Sequence, residues 1–309
     1  MTPAFHRTLL VGNPTSGGGK VGRWFDKVAA VVRRTGPDVE TVLTQGPGDA
    51  ERAARDCGGD NVLVMAFGGD GTFNEILNGA DLDRCTLAVI PAGTGNVLAK
   101  ELGVSRRPTH AVGQLLRGKL VRLDVGVCNG RRFINMFGAG LDARVVELVH
   151  ERRGRRLTQL HYIPHLVRAL LEGPAWEITV QVDGGEAARA SGLVVVGNTH
   201  TYGGPISMTP VAVPTDGLLD VMWVRRGGLA DNLAVGVCAL LHALHLSRLA
   251  CYGRGRRITV SAPDQRVPYE LDGEAAGCLP AEITVQPNAA RVLVPSTFRP
   301  GPRSLPRAV

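Results

Sequence analysis

The first 125 residues alternate between short apolar runs and amphipathic segments. Apolar runs of strand length occupy 8–13, 39–44, 61–67 and 86–91. Between them, apolar residues recur at helical spacing in 24–34, 48–57 and 72–79. Short strands that alternate with helices are typical of a parallel sheet covered by helices. The pattern therefore predicts an α/β domain over residues 1–124.

After residue 125 the pattern changes to short strands separated by Gly-rich or Pro-rich turns. Strand-like runs occupy 122–128, 131–140, 176–184, 192–199, 217–224, 257–262 and 281–287, and helical patterns remain at 142–151, 157–172 and 229–248. This predicts a mostly β second domain over 125–298. We expect strand-like residues near 290–298 to pack back on the first domain, and residues 299–309 to form a disordered tail.

Three strands of the first domain each end in a glycine-rich turn. The turns are NPTSGGGK at 13–20, GGDGT at 68–72 and AGTGN at 92–96. The carboxyl ends of parallel strands meet at one edge of a sheet, where ligands bind. Glycine lets the backbone approach a ligand closely, and helix N-termini present N–H groups to phosphates. The turns together predict a polyphosphate site, and a capping box at Thr72–Glu75 predicts a helix that begins at Thr72.

Two common nucleotide motifs do not account for these turns. A Walker A motif needs Ser or Thr after its lysine, and Val21 stands there. A dinucleotide fingerprint needs an acidic residue at the end of the second strand, where Thr44 stands.

Asp70 lies among the phosphate-binding glycines, and its carboxylate would repel phosphates without a cation between them. The residue therefore predicts Mg²⁺.

The composition of the chain limits the classes of partner that it is expected to bind. The formal net charge of +7 favours anionic ligands or surfaces. The densest basic run, at 152–156, has no interleaved aromatic residues, so a solvated loop or a membrane-facing patch is expected and nucleic-acid binding is not. Six scattered cysteines without CxxC spacing indicate no zinc site and a reducing, cytoplasmic location. The N-terminus lacks the apolar core of a signal peptide, and polar residues interrupt the apolar run at 229–250, which predicts a buried or interfacial helix instead of a membrane span.

Phosphoryl transfer to an alcohol needs a positioned nucleophile and, usually, a carboxylate that accepts its proton. The second domain offers carboxylates in three Asp-Gly turns. Asp183 lies in a predicted hairpin, Asp216 precedes a strand, and Asp272 and Glu274 flank a single glycine. Composition alone does not decide whether Asp216 or the Asp272–Glu274 turn is the better candidate for the carboxylate that accepts the proton.

Four motifs together resemble the diacylglycerol kinase catalytic-domain family, which includes bacterial soluble diacylglycerol kinases and sphingosine kinases. They are NPTSG at 13–17, GGDGTFNEILNG at 68–79, IPAGTGNVLA at 90–99 and LDGE at 271–274. The resemblance covers nearly the whole chain. It implies an NAD-kinase-like α/β domain followed by a β-sandwich domain, with the active site in the cleft between them. It also implies an ATP-dependent lipid kinase that acts on diacylglycerol or a sphingoid base at the membrane surface.

Residue roles are carried over by position. ATP-binding roles are implied for Asn13, Pro14, Thr15, Ser16, Gly17, Thr44, Gly68, Gly69, Asp70, Gly71, Thr72, Phe73, Asn74 and Thr94. Glu274 would be the proton acceptor, with Asp272 beside it, and Asp70 would organise the metal and the phosphates. The loop at 213–218 resembles a magnesium loop, in which Asp216 would give its side chain while Val213 and Leu218 would give carbonyl oxygens.

One departure concerns the lipid acceptor. Many bacterial diacylglycerol kinases carry Asp after the Asn of the third motif, whereas Val97 follows Asn96 here. The GTGNxLA form is more similar to the sphingosine-kinase side of the family. An NAD kinase with a soluble substrate and a nucleotide-binding sensor without turnover are the alternatives. The sequence does not decide oligomeric state, and a homodimer stays open.

Overall fold

The computed structural model describes residues 5–34, 38–150, 176–200, 207–225, 231, 234, 237–238, 247–263 and 266–301. The chain divides into two compact units. Unit 1 comprises Met1–Leu123 and Asn288–Arg299, and unit 2 comprises Asp124–Pro287 and Pro300–Val309. The helix predicted at 157–172, the basic run at 152–156, most of the helix predicted at 229–248 and most of the predicted tail lie outside the described residues.

Unit 1 is built on a parallel sheet. Its strands are β1 (Arg7–Gly12), β2 (Val39–Leu43), β3 (Val62–Gly68) and β4 (Cys85–Pro91). They run in the order β2-β1-β3-β4, and every neighbouring pair is parallel. All residues of β3 and β4 are buried, as expected for the central strands of a sheet with helices on both faces.

The helices of unit 1 are α1 (Ser16–Arg33), α2 (Asp49–Asp56), α3 (Asp70–Gly79), α4 (Val97–Glu101) and α5 (Pro108–Leu116). The sequence pattern predicted α1, α2 and α3 but missed α4 and α5. α4 is five residues long, too short for apolar periodicity to be visible. The predicted capping box is wrong: α3 begins at Asp70 without a side-chain cap. The Glu75 carboxylate instead accepts a hydrogen bond from the backbone N–H of Ala50 near the start of α2 (3.1 Å).

Unit 2 contains two antiparallel sheets. Its elements are β5 (Lys119–Cys128), β6 (Arg131–Phe133), β7 (Met136–Gly140), α6 (Leu141–His150), β8 (Glu177–Val182), β9 (Ala188–Ser191), β10 (Leu193–Gly197), β11 (Leu219–Val224), β12 (Ala250–Gly255), β13 (Arg257–Ser261), β14 (Pro268–Leu271), β15 (Glu274–Cys278) and β16 (Ala281–Val294). One sheet runs β12-β11-β10-β7-β14-β15. The other runs β16-β13-β8-β9 and includes β5 and β6, which pair with β16 and with each other. The sequence pattern missed β9, β12, β14 and β15.

A shared apolar core joins the two sheets of unit 2. Phe137 and Val196 from the first sheet and Ile258 and Ile283 from the second belong to one cluster of buried side chains. The opposite face of the first sheet is covered by α6, whose Val145 packs in a second cluster with residues of β10 and β11. Two sheets that pack face to face through alternating inward side chains form a β-sandwich. The predicted combination of an α/β part with a β-sandwich part is therefore confirmed.

β16 is longer than the sequence pattern predicted. The apolar alternation indicated a strand at 281–287, yet β16 continues to Val294. Its later residues belong to unit 1, where Val292 pairs in parallel with Leu87 of β4. Within the described residues, no helix is long and apolar enough to cross a membrane.

A close contact between α2 and α3 provides a stability test. A Cβ atom at Gly79 would overlap the backbone carbonyl oxygen of Glu51. We expect Gly79→Ala to lower the free energy of unfolding by about 1–3 kcal/mol, because one of the two helices must shift. Gly22→Ala is the matched control, since its Cβ would lie 3.6 Å from the Pro14 carbonyl oxygen, an ordinary contact. That control should be neutral or stabilising by up to about 1 kcal/mol. Denaturant unfolding measures both, and equal stability of the two variants would contradict the prediction.

Candidate functional site

The first glycine-rich turn is organised by Asn13. Its side-chain oxygen accepts hydrogen bonds from the backbone N–H of Thr15 (3.1 Å) and from the Thr15 hydroxyl (2.8 Å). The Asn13 carbonyl accepts from the N–H of Ser16 (3.0 Å). Asparagine commonly closes a turn in this way. Thr44 lies at the end of the adjacent strand and donates its N–H to the Gly12 carbonyl (2.9 Å).

Three glycines then turn the chain into α1. Gly17, Gly18 and Gly19 have φ angles of 61°, 66° and 81°, in the left-handed region that other residues rarely adopt. A Cβ at Gly17 would overlap the carbonyl oxygen of Ala92. The first turn therefore lies directly against the third, although β3 separates their strands in the sheet.

The second and third turns also touch through their glycines. A Cβ at Gly93 would lie 2.5 Å from the Cα of Gly69, so neither position has room for a larger residue. The N–H of Gly93 donates to the Gly68 carbonyl (3.2 Å). The structure therefore brings the three glycine-rich turns together at one edge of the sheet.

Asp70 links the second turn to the third. Its carboxylate accepts a hydrogen bond from the backbone N–H of Leu98 (3.2 Å), and a Cβ at Gly95 would lie 3.0 Å from its other oxygen. Asn96, in the left-handed conformation, closes the third turn by bonding both the N–H and the carbonyl of Gly93 (2.8 and 2.6 Å). Thr94 is exposed at the tip of this turn. The second turn leads directly into α3, where Thr72, Phe73 and Asn74 are buried.

Three cationic side chains near these turns were not singled out by sequence reasoning. The Lys20 ammonium donates to the carbonyl of Arg106 (3.2 Å). Burial lowers the pKa of Lys20, and the nearby Arg106 lowers it further. Burial also lowers the pKa of Lys100, an effect opposed by the negative charge of Asp70 and reinforced by Arg106. Lysines of this kind gain from an anionic ligand, which would compensate their partial loss of hydration.

In unit 2 the Asp272 turn is held by its own carboxylate. The carboxylate accepts three backbone N–H groups, from Ile134 (2.9 Å), Asn135 (2.8 Å) and Met136 (3.0 Å). Asp272 is buried and has a φ of 51°. Three N–H donors favour the ionised form of a carboxylate. The arrangement fixes the turn and leaves Glu274, two residues later, exposed to solvent.

Two further carboxyl groups lie buried next to this turn. Asp142 of α6 and Glu270 of β14 are both buried, and Glu270 accepts a hydrogen bond from the N–H of Gly273. Burial raises the pKa of Asp142 to about 6. Burial and then the negative charge of Asp142 raise the pKa of Glu270 well above its usual value, and Asp272 adds a smaller like-charge contribution. Two buried carboxyl groups in contact favour a state in which at least one of them is protonated.

Two of the three residues that were predicted to bind magnesium in the 213–218 loop have partners within the protein. The Val213 carbonyl accepts from the N–H of Thr215 (2.7 Å), and Asp216 Oδ1 accepts from the N–H of Leu218 (3.1 Å). Asp216 Oδ2 lies 3.6 Å from the guanidinium of Arg254. Over the residues that the structure describes, no three His, Cys, Asp or Glu side chains could hold a metal ion. The guanidinium of Arg254 thus lies beside the carboxylate that was predicted to bind magnesium.

Asp124 is a loop-anchoring residue that the sequence did not reveal. It is fully buried, its carboxylate accepts the N–H of Gly217 (2.7 Å), and its own N–H donates to the Pro214 carbonyl (2.8 Å). The amide of Asn198 donates to the carbonyls of Asp124 (2.9 Å) and Ile134 (2.8 Å). An aspartate inside the apolar run 122–128 was the available signal, since a buried carboxylate requires partners.

Comparison with known proteins decides the family. Residues 7–128 match the model of the diacylglycerol kinase catalytic domain, and residues 135–294 match that of the YegS C-terminal NAD kinase beta sandwich-like domain. A diacylglycerol kinase of Bacillus subtilis (strain 168) is 31% identical over 284 residues, which cover 90% of this chain and 92% of the relative. The chain belongs to the diacylglycerol kinase family. Its enzymatic class is therefore that of a lipid kinase.

Another relative matches this lipid kinase over most of its length, and two solved structures share its fold. A diacylglycerol kinase of Staphylococcus carnosus (strain TM300) is 27% identical over 90% of this chain and 91% of the relative. A crystal structure described as a diacylglycerol kinase from Bacillus anthracis strain Sterne superposes with a TM-score of 0.74 at 22% identity, covering 96% of this chain and 100% of that chain. Another structure from the same organism gives a TM-score of 0.81 at 24% identity, over 97% and 98% of the two chains. At these identities the structures support the fold.

The buried carboxyl pair of this lipid kinase predicts a pH dependence of stability. Burial raises the folded-state pKa of Asp142 to about 6, so the contribution of this group to stability is fully present below the pKa that it has in the unfolded chain and is lost as pH rises through about 6. We expect the Asp142 carboxyl group to lower the free energy of unfolding by a few kcal/mol across this window. Asp142→Asn, which stays neutral, should lose this part of the fall and keep the part that comes from the raised pKa of Glu270. Chemical unfolding at a series of pH values measures this, with Glu186→Gln, an exposed site, as the control. Parallel pH profiles for wild type and Asp142→Asn would contradict the prediction.

Proposed function

We propose that this lipid kinase transfers the γ-phosphate of ATP to a hydroxyl group of a diacylglycerol-type or sphingoid-base lipid. The observation that carries the nucleotide half is the contact of the three glycine-rich turns at one sheet edge. Gly17, Gly69 and Gly93 carry no side chains, which lets the three turns pack against one another at this edge. A surface of this kind suits a polyphosphate, which needs close backbone donors.

Nucleotide binding is assigned to the residues of these turns and their neighbours. The proposed set is Asn13, Pro14, Thr15, Ser16, Gly17, Thr44, Gly68, Gly69, Asp70, Gly71, Thr72, Phe73, Asn74 and Thr94. Lys20 and Lys100 extend this set as counter-charges for the phosphates. Their lowered pKa values indicate that they are incompletely hydrated, and a phosphate would supply the missing negative charge.

Asp70 is assigned to organising the nucleotide turn. Its hydrogen bond to the N–H of Leu98 holds the second and third turns in register. Magnesium bound with ATP would neutralise phosphate charge beside this carboxylate. The protein's own contribution is to keep Asp70 at the rim of the phosphate surface, where a carboxylate is tolerated only with a cation nearby.

Glu274 is assigned as the acceptor of the proton from the lipid hydroxyl. It is exposed, so a substrate can reach it, and it follows directly on the turn that Asp272 holds with three hydrogen bonds. Asp272 is buried, and its carboxylate already accepts three backbone N–H groups. We therefore assign Asp272 to positioning Glu274 and not to the proton transfer itself.

The lipid acceptor is proposed at the level of its class. Relatives named diacylglycerol kinases favour diacylglycerol. Val97 after Asn96 favours the sphingosine-kinase side of the family, since its apolar side chain cannot take part in a polar network. Either lipid resides in a bilayer, so the enzyme would associate transiently with a membrane surface.

Transfer of labelled γ-phosphate to lipids in vesicles tests the proposal. The panel contains diacylglycerol, sphingosine, ceramide and phosphatidylglycerol, with NAD as the soluble substrate, each with and without Mg²⁺. We expect a Mg²⁺-dependent product with diacylglycerol or sphingosine. Labelling of NAD alone would favour an NAD kinase, and ATP binding without any product would favour a nucleotide sensor.

Two variants separate the proposed roles of the carboxylates. Glu274→Ala should lower kcat at least about 100-fold while nucleotide affinity stays unchanged, because the base acts only on the acceptor. Asp70→Ala should weaken nucleotide binding as well as turnover, since it loosens the second and third turns. Kinetics and fluorescent-nucleotide titration measure the two effects, with exposed Glu186→Ala as the control. Normal turnover in Glu274→Ala would refute its role as the base.

A further inference from the structure

Arg254 of β12 reaches the loop that was predicted to bind magnesium. Its guanidinium donates to the carbonyl of Val211 (3.1 Å) and to both oxygens of Asp220 (3.2 Å each). The same guanidinium lies 3.6 Å from Asp216 Oδ2. One side chain thus contacts the backbone before the loop, the aspartate within it and the aspartate after it.

The rest of the loop closes on itself. The Val213 carbonyl accepts two backbone N–H groups, from Thr215 (2.7 Å) and Asp216 (3.3 Å). Gly217 donates its N–H to buried Asp124 (2.7 Å). The Val213 carbonyl and the Asp216 carboxylate, two of the three groups expected to bind a metal, therefore already have partners within the protein.

A divalent ion at Asp216 would conflict with Arg254. Magnesium binds oxygen ligands at about 2.0–2.1 Å in octahedral geometry. An ion on Asp216 Oδ2 would lie within about 6 Å of the guanidinium, and the two positive charges would repel each other. Arg254 cannot easily withdraw, because it also pairs with Asp220, whose side chain is only 5% exposed. A buried carboxylate that loses its partner is strongly disfavoured.

We propose that Arg254 is the cation of the 213–218 loop and replaces the divalent metal there. The guanidinium neutralises Asp216 and Asp220 and holds the loop between β10 and β11 without a metal ion. The only magnesium that this enzyme then needs is the one that accompanies ATP. This inference concerns the loop alone and stands whether or not the proposed lipid acceptors are correct.

Metal binding without nucleotide tests the proposal, with equilibrium dialysis against Mg²⁺ and metal analysis as the readout. Wild type and Asp216→Asn should bind equally little Mg²⁺, and chelator should leave the melting temperature of the wild type unchanged. Arg254→Gln should be less stable, should bind one Mg²⁺ at least about tenfold more tightly than wild type, and should regain stability when Mg²⁺ is added. Arg254→Lys, which keeps the charge, should resemble the wild type in binding no metal.

Arg257→Gln is the matched control, because it also removes an arginine from an ion pair, with Glu282, on a neighbouring strand. It should leave Mg²⁺ binding unchanged. A wild-type protein that binds one nucleotide-independent Mg²⁺, lost in Asp216→Asn, would overturn the proposal. So would a folded Arg254→Gln that gains no metal binding. Should Arg254→Gln fail to fold, the comparison of wild type with Asp216→Asn still decides.

Discussion

Unit 1 depends on how closely three backbone turns approach one another. Gly69 and Gly93 lie in direct contact, and Gly17 lies against the carbonyl of Ala92. A methyl group at Gly17 or Gly93 would overlap the backbone of a neighbouring turn. The parallel order β2-β1-β3-β4 places the ends of β1, β3 and β4 side by side, and the glycines let that edge close into one surface. Asp70 can reach Leu98 only because this contact exists.

In unit 2, carboxyl groups serve several different physical purposes. Asp272 accepts three backbone N–H groups and orders a turn. Asp142 and Glu270 lie buried together, which raises the pKa of both groups. Asp216 and Asp220 are neutralised by Arg254. The residue type is similar in each case, and the number of donors and charges around it decides what it does.

The fold class could be predicted because periodicity reports which faces are buried. The buried run 61–67 became β3, and the later alternating runs became strands of the β-sandwich. Short elements were not predicted because α4, with five residues, and β9, with four, contain too few positions to show a hydrophobic periodicity. Strand-like residues were predicted at 281–287 and near 290–298, but not their union in one strand, because the residues between them are exposed or half-buried and interrupt the apolar alternation.

The sequence by itself determined the α/β part, the β part and the glycine-rich turns, since these depend on local pattern and on backbone freedom. It also pointed to Asp70 as a carboxylate among phosphate-binding glycines, whereas the roles of Asp272 and Glu274 were implied by the family resemblance. Only the tertiary structure decided that Asp272 is a buried anchor, that Asp142 meets Glu270, and that Arg254 meets Asp216. These pairs are separated by long stretches of chain. The electrostatic state of a carboxyl group depends on such distant neighbours, which no local pattern specifies.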